Sequence, residues 1–472
     1  MIRPGPDIVA RLAEGGKRVP VYAEILADLE TPTSAYWKLS HDRECSFLLE
    51  SVTGGERLGR YSFIGVDPIR VLRSKSSENP LEDIKAALTD RPYAPVEGLP
   101  PFTGGAVGIL AYDLVRHFER LPDDNPDELE CDDASVLICD TVVAFDHAKN
   151  RILVIAHAVD GGDSYREAGR RIGEIVERLR GQLPQMPRSP KCDVSFASNM
   201  SRDAYETAVR KTIDYIEAGE GVQMVISRRY SGAVRSHPIS IYRCLRYLNP
   251  SPYMFLIRLG WCDIIGASPE VLVTEQADTA RVRPIAGTRP RGESEVEDER
   301  LERELLSDEK ERAEHIMLVD LGRNDIGRIA VSGSVRVGEL MTVEKYSHVM
   351  HIVSDVVGKI RPDLDCYDVL RACFPAGTVS GAPKVRAMEI IDELESSRRG
   401  LYAGAVGYFG YDGDMDMAIA IRTIFLKDGV AHVQAGAGIV FDSVPETEWQ
   451  ECENKAEGVI RAVRMAEAGE LP

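Results

Sequence analysis

The sequence predicts an α+β fold, with large mixed or antiparallel β-sheets packed as a two-layer core and helices outside. Two observations predict it. Short runs of β-branched and aromatic residues recur in both halves of the chain. Strand-like and helix-like segments do not alternate strictly, which disfavours a doubly wound parallel sheet. A length of 472 residues suits two or three ordinary domains or one large two-part fold.

The elements follow in order. In a first region, 1–183, strand-like runs at 135–145 and 151–156 precede a charged helix over 164–181. Residues 184–200 read as a connector, because Pro184, Pro187 and Pro190 fall in quick succession. The second region, 201–472, opens on Ser201. This residue can cap a helix that carries Tyr205, Val209, Ile213 and Ile216 on one face and stops at Gly219. Strand-like runs follow at 222–227, 253–259 and 271–274, and residues 293–320 form one long charged helical stretch. No internal repeat or low-complexity tract interrupts the pattern.

Composition narrows the function classes. A net charge of -19 argues against nonspecific binding to nucleic acid or an anionic membrane. An anionic substrate would need a local positive site. No uncharged apolar run reaches the length of a membrane span, and residues 1–10 lack the apolar core of a secretory signal. Nine scattered cysteines without a C-x-x-C pair suit reduced thiols in a cytosol rather than a disulfide scaffold or a cysteine zinc site.

Several segments can carry chemistry. Glu311, Glu314 and Leu318 share a helical face that begins acidic and becomes apolar. Glu451 stands four residues before Lys455, the favourable order for a helical ion pair, with Glu448 three residues upstream. Spacing alone favours solvated charged faces over metal ligands at both places. If the two glutamates share a cavity, two carboxylates with water and substrate oxygens suit Mg²⁺, which would reverse the local field.

Gln434-Ala-Gly-Ala-Gly438 follows a strand-like stretch at 430–433. It reads either as a tight turn or as backbone that approaches an anion. It lacks the third glycine of a dinucleotide fingerprint. Gly377-Thr-Val-Ser-Gly-Ala-Pro-Lys384 fails the phosphate-loop pattern. It reads as a helix start, with Ser380 near the cap, Pro383 in the first turn and Thr378 just before it. The run at 343–353 reads as a strand, which puts His348 and His351 on opposite faces and disfavours a shared metal. Arg422 ends an apolar run and needs a carboxylate partner, more readily one of the protein's own than a ligand's.

Taken together, an ordered series of segments resembles the chorismate-utilising enzymes, and among them the large subunits of anthranilate synthases. The series includes Leu48-Leu-Glu-Ser51, Asn249-Pro-Ser-Pro-Tyr-Met254, Gly266-Ala-Ser-Pro-Glu270 and Pro284-Ile-Ala-Gly-Thr-Arg-Pro-Arg-Gly292. It continues through Glu314-His-Ile-Met-Leu-Val-Asp-Leu-Gly-Arg-Asn-Asp325, the 377–384 segment, the 434–438 segment, and Glu451 to Lys455. The similarity runs from about residue 20 to about 465.

The resemblance implies the chorismate-binding fold and conversion of chorismate and ammonia to anthranilate and pyruvate, the first committed step of tryptophan synthesis. It implies Glu314 and Glu451 as Mg²⁺ ligands. Tyr402 and Arg422 would contact the enolpyruvyl carboxylate, and Gly436, Ala437 and Gly438 would supply backbone donors. Gly287 and Thr288 would line the pocket, Lys455 would add positive charge, and Thr378 would lie near the ring. Glu270 would be the acid for the departing hydroxyl and His351 the base for the C2 proton.

Related enzymes that make aminodeoxychorismate carry a nucleophilic lysine where this chain has Ala286. Those that add water carry a lysine where it has Gln223. Both positions imply free ammonia as the nucleophile. Ser51, Pro252, Tyr253 and Met254 match a tryptophan-binding feedback site. No Gly-x-Cys-x-Gly segment is present, so the resemblance implies a separate glutamine amidotransferase chain, hence a hetero-oligomer in the cytoplasm. A noncatalytic amino-acid sensor on the same fold is the alternative. The complete set of Glu314, Glu451, His351 and Arg422 argues against it.

Overall fold

A strand with apolar residues at every position has two faces to bury, and this chain makes many such strands. In Cys45–Glu50, Phe47 and Leu48 are both fully buried but point to opposite faces. Phe47 meets Phe63, Phe255, Val107 and Tyr408 in a cluster fed by two different sheets, while Leu48 joins a second cluster under helices. Burial of one such phenylalanine stabilises by about 1.5–3 kcal/mol. The fold repeats this arrangement across its width.

The computed structural model describes residues 1–52, 59–75, 79–346 and 349–471. Among these residues the strands form a 12-stranded, a 9-stranded and a 3-stranded sheet. The ladders are antiparallel. The two large sheets face each other across the Phe47 cluster. Helices Pro32–Ser40, Asp163–Arg180, Pro238–Leu248 and Pro445–Ala468 cover the outer face of the first. Pro80–Leu88, Glu309–Gly327 and Cys366–Cys373 cover the second. This is the α+β architecture of two sheet layers with helices outside.

Both large sheets draw on both regions of the chain. Cys45–Glu50 pairs with Tyr253–Leu259, and Gly105–Leu110 pairs with Ala405–Gly410. Residues 182–196 form neither helix nor strand between them. No described helix is long and apolar enough to cross a membrane. All nine cysteines are free thiols.

Local signals act as expected where they are self-contained. Ser201 accepts from the Ala204 N–H at 3.3 Å and starts the helix Arg202–Glu217, whose Tyr205 and Val209 are buried. Four local expectations are corrected. The stretch 293–320 is two helices, Glu295–Ser307 and Glu309–Gly327, because Asp308 breaks the first and caps the second through the Lys310 and Glu311 N–H groups. The run 343–353 is a hairpin of Thr342–Lys345 and Val349–Val353 rather than one strand. His348 lies outside the described residues.

The Gln434–Gly438 segment is not a turn but the end of the strand Val430–Ile439, held by pairing with Gln223–Ala233. The helix after Pro383 runs Lys384–Leu394, with Pro383 preceding its first residue. Ser380 does not cap it, and donates instead to the Ala376 carbonyl.

Candidate functional site

At one end of the sandwich the chain passes from sheet to sheet twice, side by side. Ser268 ends a strand of the first sheet and Val271 begins one of the second, leaving Glu270 in the corner. Ile419 ends a strand of the second and Thr423 begins one of the first, leaving Arg422 in that corner with φ +50. The corners are stitched together by Ile419 N–H to the Glu270 carbonyl at 3.0 Å and Ala267 N–H to the Arg422 carbonyl at 3.2 Å. A cavity of about 1190 Å³ opens in front of them.

Other elements turn their side chains into the same space. Glu314 comes from Glu309–Gly327, and Glu448, Glu451 and Lys455 from successive turns of Pro445–Ala468. Thr378 comes from the short turn Gly377–Val379, and its hydroxyl donates to Glu270 Oε2 at 2.9 Å. Gly287, Thr288 and His351 come from the three-stranded sheet, where Thr288 faces His351 across a bulge at Gly287 with φ +68. His351 Nδ1 lies 3.0 Å from the Gly287 carbonyl and 3.1 Å from Thr288 Oγ1. Donation to that carbonyl assigns the proton to Nδ1 and leaves Nε2 as the basic nitrogen.

Glycine at 436 and 438 answers to neighbours that the local sequence does not show. A Cβ on Gly436 would sit 2.8 Å from Tyr402 Oη, and one on Gly438 would sit 2.4 Å from Gln223 Nε2. Val225 N–H donates to Ser380 and Ser227 N–H to Glu395, so both point away from the GAG strand. Their partners Gly438 and Gly436 therefore direct their N–H groups to the open edge, and Ala437 between them directs its own into the ladder with Ile226. Ala437 is buried against Ile226 and Ile439 and does not line the cavity.

The charges are arranged against their own solvation. Burial, then Glu311 and Glu451, push the Glu314 carboxyl above its usual range. Burial does the same at Glu448 and at Glu270, where the Thr378 hydroxyl partly offsets it. Burial lowers Arg422 and His351. The expected protein carboxylate for Arg422 is not there. Its guanidinium donates to the Lys455 carbonyl at 3.0 Å and, among the described residues, pairs with no carboxylate, which leaves its charge to the cavity. Lys455 pairs with Glu451 at 2.5 Å and donates to the Gly436 carbonyl at 3.0 Å.

Mutually repelling carboxylates from two helices, facing water-accessible space, fit a hard dication with oxygen ligands. No three His, Cys, Asp or Glu side chains close into a metal cage among the described residues.

The profile of the family described as chorismate binding enzyme matches residues 44–461. The chain belongs to that family. Its curated relatives in the family include anthranilate synthase component 1 of Thermus thermophilus, 50% identical over 95% of this chain and 99% of the relative. The component 1 of Aquifex aeolicus is 47% identical over 97% of each. The crystal structure of anthranilate synthase component I from Streptococcus pneumoniae superposes with a TM-score of 0.79 at 38% identity, covering 92% of this chain and 98% of that one. The menaquinone-specific isochorismate synthase of Escherichia coli, at 18% identity and TM-score 0.74, shares the fold.

The remaining sequence candidates of this family member fall in a second place. Ser51 follows the strand Cys45–Glu50 directly beside Tyr253, and Val52 N–H donates to the Ser251 carbonyl at 3.2 Å. Pro252 also lines the large cavity. Tyr253 Oη donates to Asp416 at 3.0 Å, while Met254 points to the opposite face and is buried under the helices.

Sequence reasoning named the segment of Gln434 but gave that residue no role, although it lines the cavity and donates to Ser227 Oγ at 2.8 Å, and it missed the buried pair Glu395 and Arg399 behind it. A faint signal existed, since Arg399 follows a helix that is otherwise apolar on its inner face.

Proposed function

We propose that the chain is the chorismate-aminating component of an anthranilate synthase. It would convert chorismate and ammonia to anthranilate, pyruvate and water, as the committed step toward tryptophan in the cytoplasm. The supporting observation is the opening of Glu314, Glu451, Glu270, Arg422 and His351, from five separate elements, into one cavity.

In this reading Glu314 and Glu451 would hold Mg²⁺ beside the ring carboxylate of chorismate, where the ion would supply Lewis-acid chemistry. Arg422 and the Tyr402 hydroxyl bind the enolpyruvyl carboxylate, together with the free N–H groups of Gly436 and Gly438. Lys455 adds positive charge, and Gly287 and Thr288 line the wall beside the ring. Ammonia adds at C2 while Glu270, whose carboxyl burial raises above its usual range and Thr378 orients, donates its proton to the departing C4 hydroxyl. His351, kept neutral by burial, then takes the C2 proton at Nε2 as pyruvate leaves and the ring becomes aromatic.

Ala286 cannot form a covalent adduct, and Gln223 cannot deprotonate water. Ammonia would come from glutamine through a separate glutaminase chain, making a hetero-oligomer. Tryptophan bound at Ser51, Pro252, Tyr253 and Met254 would act as feedback inhibitor; the strand that ends at Glu50 pairs with Tyr253–Leu259, which pairs with the strand leading to Glu270.

Purified chain with chorismate, Mg²⁺ and ammonium tests the reading. A product with the fluorescence and mass of anthranilate is expected, and glutamine should not replace ammonium. Accumulation of 4-amino-4-deoxychorismate or isochorismate would overturn the assignment.

A further inference from the structure

Asp325 and Lys384, the last residues of the two conspicuous segments that carry Glu314 and Thr378, have no part in the chemistry above. The fold brings them together. Lys384 is the first residue of its helix, and its ammonium donates to Asp325 Oδ2 at 2.9 Å and to the Cys373 carbonyl at 3.2 Å. Asp325 lies in the last turn of the helix that carries Glu314, about 16 Å along its axis. Cys373 ends the helix just before the turn that carries Thr378.

The other end of that turn has a matching device. Arg399 donates to the Val379 carbonyl at 2.7 Å and to the Val225 carbonyl at 2.6 Å. Glu395 neutralises it at 2.7 and 3.0 Å and also accepts from the Ser227 N–H and hydroxyl, each at 2.8 Å. Side-chain exposure is 11% for Lys384, 7% for Asp325, 2% for Arg399 and 5% for Glu395. Asp325 Oδ1 is buried without a hydrogen-bond partner among the described residues. Buried ion pairs are poor sources of stability compared with apolar residues of the same volume. Two of them around one short turn, one incompletely satisfied, point to a demand other than stability.

We propose that Lys384 and Arg399 are positioning residues. Between them they hold the Thr378 turn at both ends, and the Lys384–Asp325 pair locks that turn in register with the Glu314 helix. The register matters because Glu270, oriented by Thr378, must meet the leaving hydroxyl of a substrate whose other end is fixed by Glu314. The inference rests on the roles given to Thr378 and Glu270 in the proposed function.

The test removes both charges at once, as Asp325→Leu with Lys384→Met, so that no uncompensated ion is left buried. Lys384→Arg serves as the conservative rescue. Hydrogen exchange is read on peptides spanning 374–382 and 253–268, with kcat and KM for chorismate at saturating Mg²⁺ and ammonium. The double variant should fold cooperatively, exchange faster at 374–382 but not at 253–268, and lose about 10- to 100-fold in kcat with KM within about twofold. Lys384→Arg should recover most of that loss. A folded double variant with native exchange at 374–382 overturns the proposal, as does one with kcat within about twofold of native where Thr378→Val itself loses activity. Thr378→Val separates the underlying reading. If that variant keeps native kcat, the role given to Thr378 falls, while faster exchange at 374–382 still upholds the clamp and unchanged exchange still overturns it.

Discussion

Thr378 Oγ1 donates to Glu270 Oε2 across 2.9 Å, joining a turn before one helix to a sheet-to-sheet corner 108 residues earlier. Burial raises the Glu270 carboxyl and this bond pulls it partly back. Thr378→Val deletes the largest lowering influence, ahead of Lys455 and Arg422, so the pKa of Glu270 rises further. A general acid works in its protonated form, which disappears as pH climbs through the pKa. The alkaline limb of kcat should therefore move to higher pH in Thr378→Val. Glu270→Gln should lose about 10²–10⁴-fold in kcat. A limb that stays in place in stopped-flow or steady-state profiles would assign the proton to another donor.

In the proposed mechanism the acidic limb belongs to His351. Burial holds His351 below the ordinary histidine value of 6.5, and a base must be neutral to act. Activity should persist below that pH and fall only as the depressed pKa is crossed. An acidic limb above 6.5 would exclude His351 as the base.

In the proposed function, Glu314 is a site where function and stability oppose each other. Its raised pKa means that ionisation costs folding free energy, so its contribution becomes less favourable as pH rises through the usual carboxylate range. Glu314→Gln should leave the Tm of the metal-free chain equal or higher at pH 8. It should also abolish Mg²⁺ binding by calorimetry and cut activity by about 100-fold or more. Lower metal-free stability with intact Mg²⁺ binding would remove Glu314 from the ion.

Two glycine substitutions should separate packing from chemistry. A Cβ on Gly377 would lie 1.9 Å from Leu321 Cδ2, on the helix of Glu314, so Gly377→Ala should cost about 1–3 kcal/mol as well as activity. A Cβ on Gly438 meets only the end of the flexible Gln223 side chain. Gly438→Ala should leave thermal unfolding nearly unchanged while raising KM for chorismate, as measured by initial rates.

The fold class was legible because its signals are carried by each strand and helix separately. The Ser201 cap with Tyr205 and Val209 behind it needs nothing from elsewhere in the chain. The glycines at 436 and 438 misled because glycine after a strand ordinarily marks a turn, whereas here Tyr402 and Gln223 need the room. The hairpin at 342–353 was hidden because both arms carry the same β-branched composition. Lys384, Asp325, Arg399 and Glu395 were invisible as pairs, since nothing local tells a buried ion from a solvated one. The cavity residues were named through the resemblance; spacing alone had Glu314 and Glu451 as surface charges.

In the second sheet Ala405–Gly410 and Met415–Ile419 join the early strands to the later ones, and in the first Thr423–Lys427 and Val430–Ile439 join Gln223–Ala233 to the rest. On the ribosome neither sheet can close until these late residues have emerged. The nascent chain must therefore carry long unpaired β-edges through most of its synthesis. Such a protein should depend on chaperones that shield open edges, and cutting it at the 184–200 segment should yield two insoluble pieces instead of two working halves.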